Sequence, residues 1–190
     1  YQGTTLYLYG GRTDNHTITQ DLWSLDMKTL SWNLVSNTNE PGPLDDGKAA
    51  VHNNVVYLFG GEKITNKNVL WTYTDAKWNT IDILKGPTDR EDQTMWHNGQ
   101  YLFIVGGKYD KTVVNDAWQL DTSTMVWQQI QGDAPSDRWG GDSCSKSTGQ
   151  GTLIYGGATN DAVRMNDVWL YGPTHILEEF VDNRVFIMSV

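Results

Sequence analysis

Short apolar runs that end in a glycine pair recur along the chain. The four segments are "LYLYGG" at 6–11, "VYLFGG" at 56–61, "LFIVGG" at 102–107 and "TLIYGG" at 152–157. Their first glycines are 50, 46 and 50 positions apart. A regular period of this length is typical of repeat proteins in which each repeat is one supersecondary unit. The pattern therefore predicts four copies of a single structural unit.

The third unit, residues 86–130, shows what one copy contains. Four strand-length runs, "EDQTMWHNG", "QYLFIVGG", "AWQLD" and "VWQQIQ", are separated by turn residues. The Asn98-Gly99 pair between the first two runs is a strong hairpin signal. No stretch keeps a helical period for ten residues, and each run is bounded as strands usually are. The unit therefore predicts a four-stranded sheet.

Tryptophan recurs at two places in these units. The third-strand positions are Trp23, Trp71, Trp118 and Trp169, and the fourth-strand positions are Trp32, Trp78 and Trp127. An acidic residue precedes three of the third strands, namely Asp21, Asp116 and Asp167. A sheet that repeats in this way buries its faces by stacking radially on its neighbours. We therefore expect an all-β propeller with these tryptophans in the core between blades, and a glycine pair that lets the chain turn and pack closely.

The first unit lacks an innermost strand, and the C-terminal segment offers one. In "VDNRVFIMSV" at 181–190, Arg184 follows "DN" much as Arg90 follows "TD" and Arg138 follows "SD". We predict one domain over 1–190, with blades at approximately 1–42 plus 184–190, 43–85, 86–132 and 133–183. Two alternatives remain open: a small closed ring that this strand completes, or part of a larger propeller.

Charge and composition limit the classes of partner that the chain can bind. The net charge of −9 disfavours phosphate backbones and anionic membrane surfaces, so we expect neither nucleic-acid binding nor membrane insertion. No apolar run approaches the length of a membrane span. Cys144 is the single cysteine, which fits a cytoplasmic protein, although the sequon Asn15-His16-Thr17 leaves secretion open.

Catalytic and metal-binding patterns are missing from the sequence. The four histidines, at 16, 52, 97 and 175, fall in different units and show no ligand spacing. Cys144 has no histidine near it in sequence, and we expect it to be a small buried hydrophobe. We expect Trp96 and His97, at the far end of an inner strand, to pack in the core. These observations predict a protein without enzymatic activity, cofactor or metal.

With these motifs identified, the chain resembles the kelch-repeat family through "YLYGG", "YLFGG", "FIVGG" and "LIYGG", each followed by a third-strand tryptophan. The resemblance implies a platform for binding proteins. The loops between blades and between second and third strands would form one face. Adaptor members bind acidic peptides through inter-blade arginines, which implies roles for Arg90, Arg138 and Arg184. In "PLDDGK", Asp46 stands where arginine is expected.

The resemblance therefore predicts a non-enzymatic scaffold that binds a protein partner, such as an acidic peptide segment. The candidate partner-binding residues are Arg90, Arg138, Trp139, Arg184, Arg12, Asp46 and Arg164. The arginines at 90 and 138 could instead hold a structural ion pair, for example with Asp89 or Asp137, and Trp139 could cap the channel. An alternative function is a segment of a metal-dependent or oxidase-type enzyme whose catalytic residues lie outside this chain.

Overall fold

A computed structural model describes residues 4–35, 40–63, 69–131, 135–145, 151–171 and 177–180. Regular structure in these ranges consists of β-strands. In chain order the strands are β1 (Thr5–Arg12), β2 (Ile18–Asp26), β3 (Ser31–Val35), β4 (Leu44–Asp45), β5 (Lys48–His52), β6 (Val55–Phe59), β7 (Glu62–Lys63), β8 (Val69–Thr74), β9 (Lys77–Asp82), β10 (Thr94–Asn98), β11 (Tyr101–Val105), β12 (Lys108–Tyr109), β13 (Thr112–Val113), β14 (Ala117–Asp121), β15 (Val126–Ile130), β16 (Asp142–Ser145), β17 (Thr152–Tyr155), β18 (Val168–Tyr171) and β19 (Leu177–Phe180).

The strands form one antiparallel sheet for each predicted unit. Blade two has the order β5-β6-β8-β9, blade three β10-β11-β14-β15 and blade four β16-β17-β18-β19. Blade one has the order β1-β2-β3 within the described residues. Its predicted inner strand at 184–190, with Arg184, lies outside those residues. The all-β kelch-type propeller predicted from the sequence is confirmed.

Each pair of neighbouring blades encloses an apolar core. Tyr9 of blade one meets Trp78 of blade two, with ring centroids 5.0 Å apart. Phe59 of blade two meets Trp127 of blade three at 6.3 Å, and Phe103 of blade three meets Tyr171 of blade four at 4.7 Å. The described blades therefore stack in chain order, and aromatic rings cross each of the three junctions between them.

Burial confirms the predicted core in part. Trp71, Trp78 and Trp96 are at most 4% exposed. Of the remaining strand tryptophans, Trp127 and Trp169 are half-buried and pack against the inter-blade clusters, and Trp23 and Trp118 are half-buried. Trp32, however, is 48% exposed, because it lies on a face of blade one that no described sheet covers. The expectation that His97 packs in the core was also wrong, since it is exposed at the end of β10.

The glycine pairs allow backbone to approach backbone between blades. A Cβ on Gly60 would lie 2.2 Å from the carbonyl oxygen of Arg90, far inside contact distance. Gly60 also has a φ of +72°, which favours glycine. The next N–H group, that of Gly61, donates to the same Arg90 carbonyl at 2.7 Å, and Gly107 donates likewise to Arg138 at 2.8 Å. The doublet is therefore both a turn and a junction between blades.

A second set of backbone hydrogen bonds joins the innermost turns. Asp46, Asp92 and Gly140 occupy equivalent turns before the inner strands and have φ values of 55°, 57° and 65°. The N–H of Asp92 donates to the carbonyl of Asp46 at 3.2 Å, and that of Gly140 donates to Asp92 at 2.9 Å. One main-chain hydrogen bond therefore links each turn to the next.

Candidate partner-binding face

The segments that precede the inner strands lie against the loops that follow the glycine pairs. In blade two they form the small β4–β7 sheet. In blade three Glu91 bridges to Lys108, and in blade four Trp139 bridges to Ala158, which bridges to Arg164. We call this surface the loop face. It comprises β4, β7, β12 and β13, with residues 12, 46, 91–92, 139–140 and 158–164.

Arg90 lies beneath the loop face, with its side chain 1% exposed. Its guanidinium group forms a two-bonded ion pair with Asp116, and one of the two contacts, from Nη2 to Oδ2, is 3.0 Å long. It also donates to the carbonyl of Gly106 at 3.1 Å and to the carbonyl of Thr88 at 3.0 Å. This arginine therefore ties the inner-strand segment to the glycine pair and third strand of its own blade.

Arg138 repeats this arrangement in blade four. Its guanidinium group donates two bonds of 2.7 Å to the carboxylate of Asp167 and one of 3.0 Å to the carbonyl of Gly156. Asp167 also accepts a hydrogen bond of 2.6 Å from the indole of Trp169. Asp116 does the same for Trp118 at 2.7 Å. The repeated unit is thus arginine, aspartate and tryptophan, joined through one carboxylate.

The two aspartates are held in their charged form. Burial alone would raise the pKa of Asp116, but the hydrogen bond and positive charge of Arg90 outweigh it, so the pKa lies below its ordinary value. The pKa of Asp167 is lowered in the same way, with burial opposed by Arg138 and by the Trp169 indole. Charge-assisted, two-bonded pairs of this kind are strong and directional. Both carboxylates therefore act as fixed anchors.

Blade two replaces the ion pair with apolar residues. The carbonyl of Leu44 contacts Gly10 as those of Arg90 and Arg138 contact Gly60 and Gly106, so Leu44 holds the arginine position. Counting back two residues from Trp71 places Val69 at the aspartate position. Leu44 is 3% exposed, and Val69 packs against the same cluster. Apolar residues of one cluster therefore occupy both positions in this blade, and the indole N–H of Trp71, which has no aspartate to donate to, is buried without a hydrogen-bond partner in the described ranges.

The alignment of Asp46 with the arginines was wrong. The buried prolines that precede Arg90 and Arg138 by three residues are Pro87 and Pro135, and the equivalent proline is Pro41 rather than Pro43. Choosing Pro43 shifts the segment by two residues. Asp46 instead corresponds to Asp92, in the hydrogen-bonded inner turn. It is exposed on the loop face.

Trp139 joins two blades on the loop face. Its indole N–H donates to the carbonyl of Thr159 at 3.1 Å, within blade four. The Lys108 ammonium of blade three lies 3.3 Å from the centroid of the Trp139 ring and 3.0 Å from a carboxylate oxygen of Asp92. A cation so close to an indole face gains an attraction of electrostatic origin. The Trp139 ring is thus held in place while it stays partly exposed.

Carboxylates dominate the centre of the loop face. Loss of hydration, followed by the charges of Asp92 and Asp45, raises the pKa of Asp46. Loss of hydration and the charge of Asp92 likewise raise the pKa of Glu91. Arg12 lies at the rim and is bound by Asp45 at 2.7 Å and by Glu62 at 2.6 Å. The centre is therefore acidic, and Arg12 is already engaged.

Two candidate arginines and three residues with titratable side chains complete the description. Arg164 is exposed on the loop face, and Arg184 lies outside the described residues. Cys144 is exposed rather than buried as expected, because the face of blade four that bears it has no further described blade against it. His52 and His97 approach each other at the opposite end of the blades, with ring centroids 5.8 Å apart.

The described ranges lack two further features. No three histidine, cysteine, aspartate or glutamate side chains converge there as metal ligands would. Those ranges also contain no helix with the length and apolar character needed to span a bilayer.

Sequence reasoning missed the partners of the buried arginines. It offered Asp89 or Asp137, which are adjacent in sequence, whereas the carboxylates that bind Arg90 and Arg138 come from 26 and 29 residues further along. A signal was present, since both partners belong to the recurring "NDAW" and "NDVW" segments. An aspartate two residues before a third-strand tryptophan therefore indicates the carboxylate that binds the buried arginine of the same blade.

The stack of antiparallel sheets, of which three have four strands within the described residues, and the paired loops define a β-propeller repeat protein. The chain belongs to the kelch-repeat proteins: the family model described as the KLHDC2/KLHL20/DRC7 Kelch-repeats domain matches residues 1–176. Kelch-repeat domains typically serve as protein-interaction scaffolds and adaptors.

Several curated proteins are similar over most of the chain. The leucine-zipper-like transcriptional regulator 1 homolog of Drosophila melanogaster is 26% identical over 181 residues, covering 87% of this chain and 18% of the relative. Acyl-CoA-binding domain-containing protein 4 of Arabidopsis thaliana is 28% identical, covering 91% of this chain and 27% of the relative. Ras guanine nucleotide exchange factor F of Dictyostelium discoideum is 23% identical, covering 90% of this chain and 16% of the relative. The chain thus spans roughly a sixth to a quarter of the length of these relatives.

Proposed function

We propose that this chain is a non-enzymatic interaction module that binds a protein partner on its loop face. The observation that carries the proposal is the pair of exposed apolar side chains on neighbouring loops. Tyr109 is 49% exposed and Val163 is 58% exposed, and the Trp139 indole lies between blades three and four beside them in the fold. Aromatic and cationic side chains on a rigid frame are enriched where interfaces gain most of their free energy.

Arg90 and Arg138 support this face from below. Their guanidinium groups are 1% and 2% exposed and are occupied by carboxylates and carbonyls of the chain. Binding a partner's carboxylate through them would require breaking an ion pair whose aspartate would then be left without its cation. We therefore assign them to the positioning of the loops, and we place partner contact at Tyr109, Trp139, Val163 and Arg164.

An acidic peptide segment was the partner chemistry that the arginines indicated. The loop face offers such a ligand little attraction at its centre, where Asp46, Glu91 and Asp92 gather. Arg164 provides a cation at the rim, where it forms no ion pair with the carboxylates of the described ranges. We therefore expect the contacting segment to be apolar or basic over the centre, with any acidic group directed to Arg164.

A comparison of variants at the two ends of the blades tests the proposal. The loop-face variant carries Tyr109→Ser and Val163→Ser. The matched control is Met125→Ser, an apolar residue that is 40% exposed in the turn at the opposite end of blade three. Proteins captured from a native lysate by the unsubstituted chain should be lost with the loop-face variant and kept with the control. Equal capture by both folded variants would remove the loop face as the binding surface.

A further experiment separates partner chemistry from location. Once a partner segment is defined, its affinity should fall at least about tenfold with Tyr109→Ser and Val163→Ser, which is about 1.4 kcal/mol. Arg164→Glu should lower the affinity for an acidic segment and raise the affinity for a basic one. An acidic segment that binds equally well to Arg164→Glu would contradict the assigned role of that arginine.

A further inference from the structure

Two histidines from different blades face each other at the end of the molecule opposite the loop face. His52 is the last residue of β5 in blade two, and His97 lies near the end of β10 in blade three. Their ring centroids are 5.8 Å apart and the ring planes are inclined by 44°. His97 is exposed and His52 is partly exposed, so a dissolved ion can reach both rings. Because they belong to different repeats, their spacing in the sequence gave no sign of this approach.

The two sheets hold these rings on facing sides of one junction. His52 pairs directly with Val55, and His97 pairs directly with Leu102. Residues directly opposite each other in a sheet point to the same side. Val55 and Leu102 both pack in the apolar cluster between blades two and three. The imidazoles therefore continue that junction beyond its apolar part, and both blades have a described neighbour on either side.

The separation of the rings suits one shared metal ion. In a tetrahedral site with metal–nitrogen bonds of about 2.0–2.1 Å, two imidazoles on the same ion have centroids about 5 Å apart. The observed 5.8 Å requires only a small ring rotation, which the broad χ2 preference of histidine allows. Loss of hydration, followed by the charge of His52, lowers the pKa of His97. That ring is therefore neutral near pH 7, and neutral imidazole is the form that binds metals.

Asn53 provides an orienting partner for one of the rings. Its side-chain amide lies 2.9 Å from Nε2 of His52. A half-turn of this amide, whose two ends are nearly equal in shape, presents its oxygen to the ring, and the Nε2–H group then donates to it. The lone pair is left on Nδ1. Histidines that bind metals almost always donate their other N–H group in this way.

We propose that His52 and His97 bind one divalent transition metal ion of the zinc class. Imidazole nitrogen is a preferred ligand for zinc, copper and nickel. In the described ranges no third histidine, cysteine or carboxylate converges with the pair, so water fills the other positions and the ion exchanges readily. Because the ligands come from two blades, the ion links their inner strands. The site does not use the loop face, so it stands or falls separately from the proposed binding function.

Calorimetric titration of the 190-residue chain with zinc chloride tests the site. We expect saturable binding of one ion per chain. His52→Ala and His97→Ala should each lower the affinity at least about tenfold. The matched control is a variant that carries His16→Ala, His175→Ala and Cys144→Ser, which removes the other histidines and the thiol and should bind zinc unchanged. Loss of binding in this control, with binding kept in the first two variants, would overturn the proposal.

A double variant distinguishes one shared ion from two separate weak contacts. His52→Ala combined with His97→Ala should lower the affinity no further than either change alone, because a single imidazole cannot chelate. Zinc should also raise the thermal melting midpoint of the unsubstituted chain and leave that of His97→Ala unchanged. Additive losses of affinity would contradict a shared ion. An unsubstituted chain that shows no saturable binding would overturn the proposal outright.

Discussion

Blades two and three solve the same structural problem with different chemistry. Each must fix the segment before its inner strand against its own third strand. Blade three uses the buried ion pair of Arg90 and Asp116, while blade two uses Leu44 and Val69. The folds of the two segments are otherwise alike, down to the carbonyl that contacts the preceding glycine pair. The comparison shows that the arginine serves to hold this segment in place, and that apolar residues can hold the segment instead.

The largest expected effect comes from breaking the ion pair on one side. Asp116→Ala leaves the Arg90 guanidinium buried without its counter-charge and removes the acceptor of the Trp118 indole. Loss of one partner of such a pair costs about 3–5 kcal/mol. Urea unfolding monitored by tryptophan fluorescence should show this decrease. A loss below about 1 kcal/mol would mean that the pair contributes little to the anchor.

The reverse change in blade two is expected to be smaller and partly correctable. Leu44→Arg places a cation among the apolar side chains around Leu44 and Val69, and we expect a loss of about 2–4 kcal/mol. Adding Val69→Asp supplies the missing carboxylate at the equivalent position. The double variant should recover at least half of the loss in the same unfolding assay. No recovery would show that blade two has lost the geometry of the pair.

Exchange of both partners in blade three should change stability least among these variants. Arg90→Leu with Asp116→Val reproduces the pair found in blade two. Replacement of a buried ion pair by well-packed apolar groups is often neutral or stabilising, and the Trp118 indole would then lack an acceptor just as the Trp71 indole does in blade two. The double variant should therefore be far more stable than Asp116→Ala. Equal instability of the two would show that the charges themselves are required.

The ion pairs also predict an acid-dependent component of stability. The pKa of Asp116 is lowered in the folded chain, so its pair adds stability above its ordinary pKa of 3.8 and loses it as the pH falls through the lower folded value. The unsubstituted chain should therefore lose stability below about pH 4 more steeply than the double variant Arg90→Leu, Asp116→Val. Unfolding free energies measured from about pH 2 to about pH 6 give the difference. Parallel curves would contradict the lowered pKa.

The repeat, its strands and part of its core were predictable because they depend on local pattern. Apolar runs, turn residues and tryptophan spacing determine strands and hairpins within one unit. The anchor was not predictable in the same way, since Arg90 binds a residue 26 positions away. Trp32 occupies a core position by pattern yet is 48% exposed. Its exposure depends on which sheet lies against blade one, and a single unit contains no information about that.

The alignment of Asp46 illustrates a different limit. The segment "PGPLDD" contains two prolines, and either could match the single proline of "PTDR" or "PSDR". Only the contact between the Leu44 carbonyl and Gly10 decides which is equivalent. The position of the loop face followed from strand direction, as the pairing of β4 with β7 shows. Which residues are exposed on the loop face was not predictable, because contacts within the fold decide which side chains are buried.

The main-chain links between Asp46, Asp92 and Gly140 have a consequence for how this surface can diversify. Each link uses only an N–H group and a carbonyl, and the third residue is a glycine without a side chain. The spacing of the turns around the axis is therefore independent of the side chains they display. The positive φ of these turns favours glycine, asparagine and aspartate, so changes within that small set leave the frame unaltered, whereas a bulkier or β-branched side chain would strain it.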